Sequence, residues 1–278
     1  MNTFTYINNT FVPAAAAALQ VSDLALQRGY GIFDFFKTLE GRPVFLEEHL
    51  DRFCTSAAQM RLPLQKSREE LKGIIRELLQ RNHLPASGIR LTLTGGYSPD
   101  GYSITAPNLV ITQQPLRLPA ADAFEQGLRL LSYPHRRQLP EVKSLDYLMA
   151  IWLQPHIREH QADDVLYRQH GLVTECPRAN FFIVTGDDTV MTPARDTLKG
   201  IIRNKVLQLA RKRYKTEEGD VTLAAAQKAK EAFITSTTRH ILPVLALDGR
   251  PVGEGRPGPV TTALSKALEE LVTAHIRG

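Results

Sequence analysis

The sequence predicts a two-domain α+β protein with mixed and antiparallel sheets and with helices placed among the strands. Three observations support this fold class. The chain has 278 residues, 43% of them apolar, which exceeds the needs of one average domain. Its predicted strands are mostly joined by hairpins, an order that favours α+β domains over a doubly wound parallel sheet. Residues 115–122, with two prolines and paired alanines, are the best candidate for a linker.

The linker divides the chain into two predicted domains. We expect a smaller N-terminal domain over residues 1–118, an interdomain linker over residues 119–124 and a larger C-terminal domain over residues 125–278. A functional site is expected between the two domains.

The first predicted domain combines strands with two helices. Strands are predicted over 4–11, 32–38, 89–94 and 108–113, and residues 89–94 alternate apolar with polar. Apolar residues at steps of four and three predict a helix over 46–60, and the capping box Ser67-Arg-Glu-Glu70 begins a second helix.

The second predicted domain contains more strands than helices. Strands are predicted over 128–133, 165–168, 172–175, 181–184, 189–191, 233–236 and 244–248. Helices are predicted over 144–160, around Ile202, Val206 and Leu209, and from about Val260 onward.

Charge and cysteine usage argue against several classes of protein. The net charge is +5, but basic residues are scattered among acidic ones, and the densest cluster, residues 211–215, closes a predicted helix. Nucleic-acid binding is therefore not expected. We also expect no membrane association, because the apolar runs are too short to span a bilayer. Two isolated cysteines favour a reducing, cytoplasmic location.

No metal site or serine hydrolase site is predicted. His49, His135, His156 and His170, compared with one another, show neither the helical i, i+4 pairing nor the cysteine spacing of a metal site. The chain also lacks a Gly-x-Ser-x-Gly sequence.

Lys143 and Glu175 could serve a cofactor that has an aldehyde and a ring nitrogen. Lys143 precedes an apolar predicted helix, and a Schiff-base lysine needs its pKa lowered from about 10.4 so that some free amine is present. Glu175 ends a predicted strand, where its carboxylate could keep a ring nitrogen protonated. The alternatives are a solvated surface lysine and a turn-capping or salt-bridged glutamate.

Three further features could bind a phosphate. Residues 200–203 open a predicted helix whose unpaired amides would attract an anion, and residues 235–238 add hydroxyl donors. Arg52 could donate two hydrogen bonds to the same group. The alternatives are an ordinary helix start, an ordinary loop, and an ion pair of Arg52 with Glu48. An amine, a carboxylate and a phosphate site together indicate pyridoxal 5'-phosphate (PLP) as the cofactor.

Two further arginines, Arg28 and Arg90, could bind a substrate carboxylate. Arg90 shares one face of a predicted strand with Thr92 and Thr94. Two guanidinium groups on one carboxylate would each contribute about 1.5–3 kcal/mol in a site that excludes water.

Several separated motifs resemble the class IV aminotransferases, the PLP enzymes of fold type IV, over about residues 23–258. The motifs are Arg28-Gly-Tyr-Gly, His49-Leu-Asp-Arg52-Phe, Lys143-Ser-Leu-Asp-Tyr147, Thr174-Glu175 to Asn180-Phe, Leu198-Lys-Gly-Ile, and Ser236-Thr-Thr with Pro243-Val. The resemblance implies a two-domain, dimeric enzyme whose active site lies between the domains and is closed by the neighbouring subunit.

The resemblance also implies a role for each motif. Lys143 would bind the cofactor covalently and move the substrate proton, Glu175 would face the pyridine nitrogen, and Leu198 would pack on the ring. The residues that would bind the cofactor further include Arg52, the amides of Ile201 and Ile202, and Thr237, all at the phosphate, and Tyr147.

Within this family, the segments around Arg28, Arg90 and residues 94–102 are similar to a subgroup of D-amino acid transaminases. This similarity implies a ping-pong exchange between a D-amino acid and a 2-oxo acid. The α-carboxylate would be held by Arg90 and by Arg28 of the partner subunit. The alternatives are a branched-chain L-amino acid aminotransferase and an aminodeoxychorismate lyase.

Three positions depart from the commoner family pattern. Asp146 stands where asparagine is frequent, Ile202 where a threonine hydroxyl would reach the phosphate, and Cys176-Pro-Arg178 where small residues are usual. These departures concern cofactor affinity more than catalysis, since Lys143 and Glu175 are both present.

Overall fold

The computed structural model describes residues 3–278; Met1 and Asn2, which open the predicted first domain, lie outside the described residues. The chain forms two compact units. The first comprises Met1–Arg117, Val142–Asp146 and His275–Gly278, and the second comprises Leu118–Glu141 and Tyr147–Ala274. The α+β fold class is confirmed by helices and by mixed and antiparallel sheets. The predicted domain bounds stay a prediction.

The first unit contains an antiparallel six-stranded sheet. Its strands are β1 (Phe4–Ile7), β2 (Thr10–Pro13), β3 (Gly31–Leu39), β4 (Arg42–Pro43), β5 (Ser87–Thr94) and β6 (Leu109–Pro115), in the order β2-β1-β6-β5-β3-β4. Its helices are α1 (Leu24–Arg28), α2 (Leu46–Gln59) and α3 (Arg68–Asn82), with a short 3-10 turn at Ala14–Ala16.

Apolar side chains at helical spacing explain why α2 and α3 form and pack together. Leu50 and Phe53 of α2 share one buried core with Leu71 and Ile75 of α3 and with Phe36 of β3. The predicted capping box is confirmed, because both of its hydrogen bonds are present at the start of α3.

The segment Val142–Asp146 pairs with β3 and does not begin a helix. The Phe33 amide donates to the Lys143 carbonyl over 2.9 Å, the Leu145 amide donates to the Gly31 carbonyl over 3.0 Å, and Ile32 and Ser144 form a bridge. The predicted helix over 144–160 is therefore wrong in its first part, because pairing with β3 overrides the local apolar pattern.

Residues His275–Gly278 support the start of α2. Phe45, the residue before α2, has a left-handed φ of 55°, and its amide donates to Nε2 of His275 over 3.0 Å. The rings of Phe45 and His275 pack 4.7 Å apart, and Arg42 donates to the Ile276 carbonyl over 2.7 Å. These contacts fix the backbone at the residue where α2 begins.

The second unit contains an 11-stranded mixed sheet. Its strands are β7 (Leu128–Pro134), β8 (Asp164–Gln169), β9 (Leu172–Val173), β10 (Glu175–Cys176), β11 (Ala179–Val184), β12 (Val190–Pro193), β13 (Thr216–Gly219), β14 (Val221–Thr222), β15 (Glu231–Ser236), β16 (His240–Leu247) and β17 (Arg250–Pro251). The order is β13-β12-β11-β15-β16-β7-β8-β9-β14, with β10 paired to β11 and β17 paired to β16. The pairs β12–β13, β16–β7 and β7–β8 are parallel.

The helices of the second unit are α4 (Ala123–Gln126), α5 (Leu148–Trp152), α6 (Gln154–Glu159), α7 (Ile201–Ala210), α8 (Leu223–Gln227) and α9 (Pro259–Arg277), whose last residues belong to the first unit. Leu153, between α5 and α6, and Ile157 are buried against Val165 and Tyr167 of β8. Across residues 3–278, none of the helices has both the length and the apolar character that crossing a bilayer requires.

The strand predicted over 172–175 is two strands. Val173 pairs with Arg168 of β8, whereas Glu175 pairs with Asn180 of β11. Thr174 lies between them, and its amide donates to the Tyr167 carbonyl over 2.8 Å. This break gives Glu175 different neighbours from those of β9.

Candidate active site

Lys143 lies in the first unit, on the segment that pairs with β3. Its carbonyl accepts from the Phe33 amide, and its own amide donates to the Ser56 hydroxyl over 3.4 Å. Its Nζ lies 4.6 Å from the centroid of the Phe33 ring. Because these two hydrogen bonds fix the backbone of Lys143, its side chain extends from a fixed Cα position.

Arg90 lies against the same aromatic ring. The central carbon of its guanidinium is 3.9 Å from the Phe33 centroid, so Arg90 and the Lys143 Nζ are at most about 8.5 Å apart, the sum of the two distances. Phe33 is buried and was not predicted as a site residue. The ring therefore lies close to both the arginine predicted to bind a carboxylate and the lysine predicted to bind the cofactor.

Arg52 is joined to a buried aspartate that was not predicted. Its Nε and Nη2 donate to Asp34 over 2.8 and 2.9 Å, and His49 Nδ1 donates to the same carboxylate over 2.7 Å. In the part of the chain that the structure describes, these bonds leave the Nη1 of Arg52 without a hydrogen bond. That group remains able to bind an anion.

Burial and charge act in opposite directions on the pKa values of this trio. Burial by itself would raise the pKa of Asp34, but the Arg52 charge and the hydrogen bonds from His49 and Arg52 hold it well below its usual range. The pKa of His49 is lowered, chiefly by burial and further by the Arg52 and Lys143 charges, although Asp34 acts to raise it. We therefore treat His49 as neutral near pH 7 and Arg52 as the cation that compensates Asp34.

Arg28 is exposed at the end of α1, where backbone carbonyls orient its guanidinium. Its Nε donates to Gly101 over 3.0 Å, and its Nη1 donates to Gln27 over 3.1 Å. The Gly101 turn is fixed by Asp100, which accepts hydrogen bonds from the hydroxyl and amide of Ser103 over 2.6 and 2.7 Å. These bonds hold the pKa of Asp100 well below its usual range.

Glu175 lies in the second unit and is buried on β10. Its Oε1 accepts from Arg137 Nε over 2.9 Å, and its Oε2 accepts from the Thr197 hydroxyl and the Leu198 amide over 3.0 and 2.9 Å. Arg137 thus compensates the charge of the buried carboxylate. The salt bridge considered as an alternative is present, with a partner that the sequence analysis had not identified.

A row of polar side chains crosses the sheet at Glu175. Asn180 lies opposite Glu175 in β11, and Thr235 lies opposite Asn180 in β15, so all three side chains are on one face. The Thr235 hydroxyl is buried and finds no hydrogen-bond partner within residues 3–278. An unsatisfied buried hydroxyl costs about 1–3 kcal/mol, so a ligand oxygen beside it would be stabilised.

The start of α7 packs against this polar row. Gly200 precedes α7, and no side chain of the described residues caps the helix, so the Ile201 and Ile202 amides begin it without a side-chain acceptor, as a phosphate site would require. A Cβ on Gly200 would lie 2.1 Å from the Asn180 Oδ1, so any larger residue would have to displace this buried side chain. The Asn180 amide nitrogen also donates to the Leu198 carbonyl over 2.7 Å.

The other predicted residues occupy simpler positions. Thr237 is half-buried in the turn after β15, and Tyr147 is half-buried at the residue before α5. Of the residues that depart from the family pattern, Ile202 is buried in the first turn of α7, and Asp146 and Arg178 are exposed.

The two units contain the types of chemical group that bind PLP. The first unit offers an amine held beside an aromatic ring and an arginine with a donor available for an anion. The second unit offers the Glu175 carboxylate paired with an arginine, the helix start that follows Gly200, and the buried Thr235 hydroxyl, which has no hydrogen-bond partner among the described residues. These are the groups that an aldehyde, a phosphate and a protonated ring nitrogen require.

Comparison with known proteins identifies relatives along the whole chain. The family model described as "Amino-transferase class IV" matches residues 31–247. A D-alanine aminotransferase of Bacillus licheniformis is 30% identical over 274 residues, covering 96% of each chain. A D-alanine aminotransferase of Listeria monocytogenes serotype 4b is 30% identical over 281 residues, again covering 96% of each.

Solved structures with the same fold carry a different substrate name. A branched-chain amino acid aminotransferase of T.th., solved with pyridoxamine 5'-phosphate, has a TM-score of 0.90 at 25% identity and covers 99% of this chain and 95% of its own. The branched-chain amino acid aminotransferase of Escherichia coli has a TM-score of 0.91 at 26% identity, with 99% and 96% covered.

Proposed function

This chain belongs to the class IV aminotransferases, which use PLP, and we propose that it exchanges an amino group between a D-amino acid and a 2-oxo acid in a ping-pong reaction. PLP, when bound, supplies an electron sink that stabilises the charge left on a substrate carbon after proton removal. The preferred substrates are D-alanine or D-glutamate with pyruvate or 2-oxoglutarate.

We assign the cofactor to the residues that the family resemblance implies. Lys143 would hold it covalently through Nζ, and the same amine, once free, would accept the substrate Cα proton and donate it back. Glu175, with its charge compensated by Arg137, would keep the ring nitrogen protonated. Leu198 and Tyr147 would help to hold the cofactor, Leu198 against the ring.

The phosphate would be held by three kinds of donor: the Nη1 of Arg52, the amides of Ile201 and Ile202, and the Thr237 hydroxyl. Ile202 supplies a backbone amide and no hydroxyl, so the buried Thr235 hydroxyl is a candidate for the additional donor.

One observation supports the assignment to amino acid substrates more than any other: the Arg90 guanidinium and the Lys143 amine both lie near the Phe33 ring. A carboxylate bound by Arg90 brings the amino end of its substrate towards the lysine amine. The names of the relatives at 30% identity support the D-configuration, and so does the Arg28 and Arg90 pair.

A half-reaction screen tests the proposal. The PLP-loaded enzyme is mixed with paired D- and L-amino acids while cofactor absorbance is followed. We expect D-alanine or D-glutamate to react faster than any L-amino acid. A faster reaction with L-leucine would instead establish the branched-chain activity that the structural relatives favour.

A lysine substitution tests the covalent assignment separately. Lys143→Ala should abolish turnover and the covalent product that borohydride reduction forms on the wild-type enzyme. Lys228→Ala, at an exposed lysine on the second unit, serves as the matched control. Normal steady-state transamination by Lys143→Ala would contradict the role of Lys143.

We also propose a homodimer in which Arg28 acts on the active site of the neighbouring subunit. The exposed, backbone-oriented guanidinium of Arg28 supports this arrangement. Mixing Arg28→Leu and Lys143→Ala subunits should restore about a quarter of wild-type activity, because half the dimers would contain one intact site. No restoration would indicate that Arg28 does not act across subunits. The cytoplasmic location stays a prediction.

A further inference from the structure

We propose that His156, Glu159 and His160 form a binding site for a divalent transition-metal ion, with Zn²⁺ as the preferred ion. One donor atom from each side chain lies within 4.8 Å of the other two. The three residues occupy α6 and the position after it, at the i, i+3 and i+4 spacing that places side chains on one helix face. The sequence analysis compared His156 with other histidines but omitted His160, four residues later.

One of the two imidazoles has its tautomer fixed for metal binding, and the other lies beside it. The Nδ1 of His160 donates to the His156 carbonyl over 3.0 Å, and since a carbonyl only accepts, this bond fixes the tautomer with a lone pair on Nε2. Metal-binding histidines usually make such a second hydrogen bond. His156 packs edge-on against Tyr133, with the ring centroids 6.0 Å apart, and its ring centroid is 4.3 Å from that of His160.

The donor set selects the class of ion. Two imidazoles and one carboxylate match the ligands that zinc takes in sites with an open position, whereas Ca²⁺ and Mg²⁺ prefer oxygen ligands. Donors about 2.0–2.1 Å from one tetrahedral ion lie about 3.4 Å apart, so donors now within 4.8 Å of one another must close by at most about 1.4 Å. Glu159 and His160 are exposed, and rotamer changes at the surface supply this movement.

The inference concerns metal binding and not hydrolysis. His-x-x-Glu-His is also the spacing of one class of zinc peptidases. In such enzymes the active site excludes bulk water, whereas Glu159 and His160 are open to solvent. An ion here would link His156, inside α6, to His160, the residue after α6. It would thereby stabilise the last turn of this helix.

Calorimetric titration of the tag-free, PLP-loaded enzyme with ZnCl₂ tests the site. We expect one Zn²⁺ per chain, and an affinity at least about tenfold weaker in His160→Ala, because losing a ligand should cost no less than losing its orienting partner. Glu159→Gln should also weaken binding. His170→Asn, at an exposed histidine in a tight turn, should not.

Hydrogen–deuterium exchange then locates the ion. Zn²⁺ should slow exchange in the peptide covering residues 154–160 in the wild type and in His170→Asn, and should not slow it in His160→Ala. Equal Zn²⁺ affinity in wild type and His160→Ala, protection confined to another region, or no saturable binding would each overturn the proposal.

Discussion

Replacing Asp34 with asparagine should destabilise the protein strongly and loosen its hold on PLP. The wild-type carboxylate accepts from Arg52 Nε, Arg52 Nη2 and His49 Nδ1, and it is 1% exposed. Asparagine has almost the same volume but only one acceptor oxygen, and its amide would point a donor at another donor. The substitution therefore removes the charge and at least one of these bonds while filling the same space.

The expected size of the effect follows from these contacts. Removing one partner of a buried ion pair costs about 3–5 kcal/mol, because the other charge stays buried without compensation. Arg52 is 11% exposed and can recover some hydration, so we expect the lower end, about 3 kcal/mol. A misdirected Arg52 would also lose a phosphate contact, which should weaken PLP binding about tenfold.

Urea unfolding followed by circular dichroism, with and without PLP, measures both effects. Asp51→Asn is the matched control, because it makes the same change on an exposed residue of α2 that pairs with Arg68. Exposed ion pairs contribute little, so the control should unfold close to the wild type. If Asp34→Asn unfolded at the same urea concentration as Asp51→Asn, the buried Asp34, His49 and Arg52 cluster would not contribute the predicted stability.

The same aspartate predicts a direction of pH dependence. Its pKa is lowered by folding, so the stability it contributes is fully present above the unfolded value of about 3.9 and is lost as the pH falls towards the folded value. The difference in unfolding free energy between wild type and Asp34→Asn should therefore be constant near neutral pH and shrink below about pH 4. A difference that grew on acidification would contradict the sign of the shift.

Three further substitutions probe the second unit. Gly200→Ala should cost about 1–3 kcal/mol of stability by urea unfolding and weaken PLP retention, because the new Cβ would meet the Asn180 Oδ1. Arg137→Leu should cost about 3–5 kcal/mol in the same assay and reduce turnover, since it leaves Glu175 buried without its cation. Glu231→Gln should cost about 1–2 kcal/mol, because the carboxylate caps the start of α9, and should leave the cofactor spectrum unchanged.

Each of these substitutions has a control or an outcome that contradicts it. Gly186→Ala adds a Cβ with no atom within 4 Å and should be nearly neutral, so equal effects at Gly200 and Gly186 would remove the steric argument. Arg136→Leu breaks an exposed pair with Asp196 and should cost much less than Arg137→Leu. A shifted cofactor spectrum in Glu231→Gln would show that its effect is not confined to α9.

Local signals in the sequence predicted the regular elements well. The capping box located the start of α3, and apolar spacing located α2, because both depend on residues within a turn or two. The short α1 was not predicted, although its signals are present: the Asp23 side chain accepts from the Ala25 amide, and Gly29 ends the helix at a φ of 65°. Five residues are too few for a periodic pattern.

Partners distant in the chain explain what sequence reasoning could not supply. Asp34 and Arg52 are 18 positions apart, and Arg137 and Glu175 are 38 apart, so no spacing rule connects them. Asp34 did carry one signal, an acid placed between Phe33 and Phe35 in a predicted strand. The pairing of Ser144 with Ile32 likewise depends on tertiary structure and not on the local pattern that predicted a helix.

The membership of the first unit has a consequence for biosynthesis. Although most of this unit is translated early, it also includes Val142–Asp146 and His275–Gly278. A ribosome-bound chain therefore cannot finish folding this unit until the last of these residues emerges. Until then, the Phe45 amide lacks its acceptor on His275, and the start of α2 lacks this hydrogen bond. Cofactor loading through Arg52 would then follow the emergence of residue 275, which makes premature termination before that residue a route to an enzyme that is folded in part and poor in PLP.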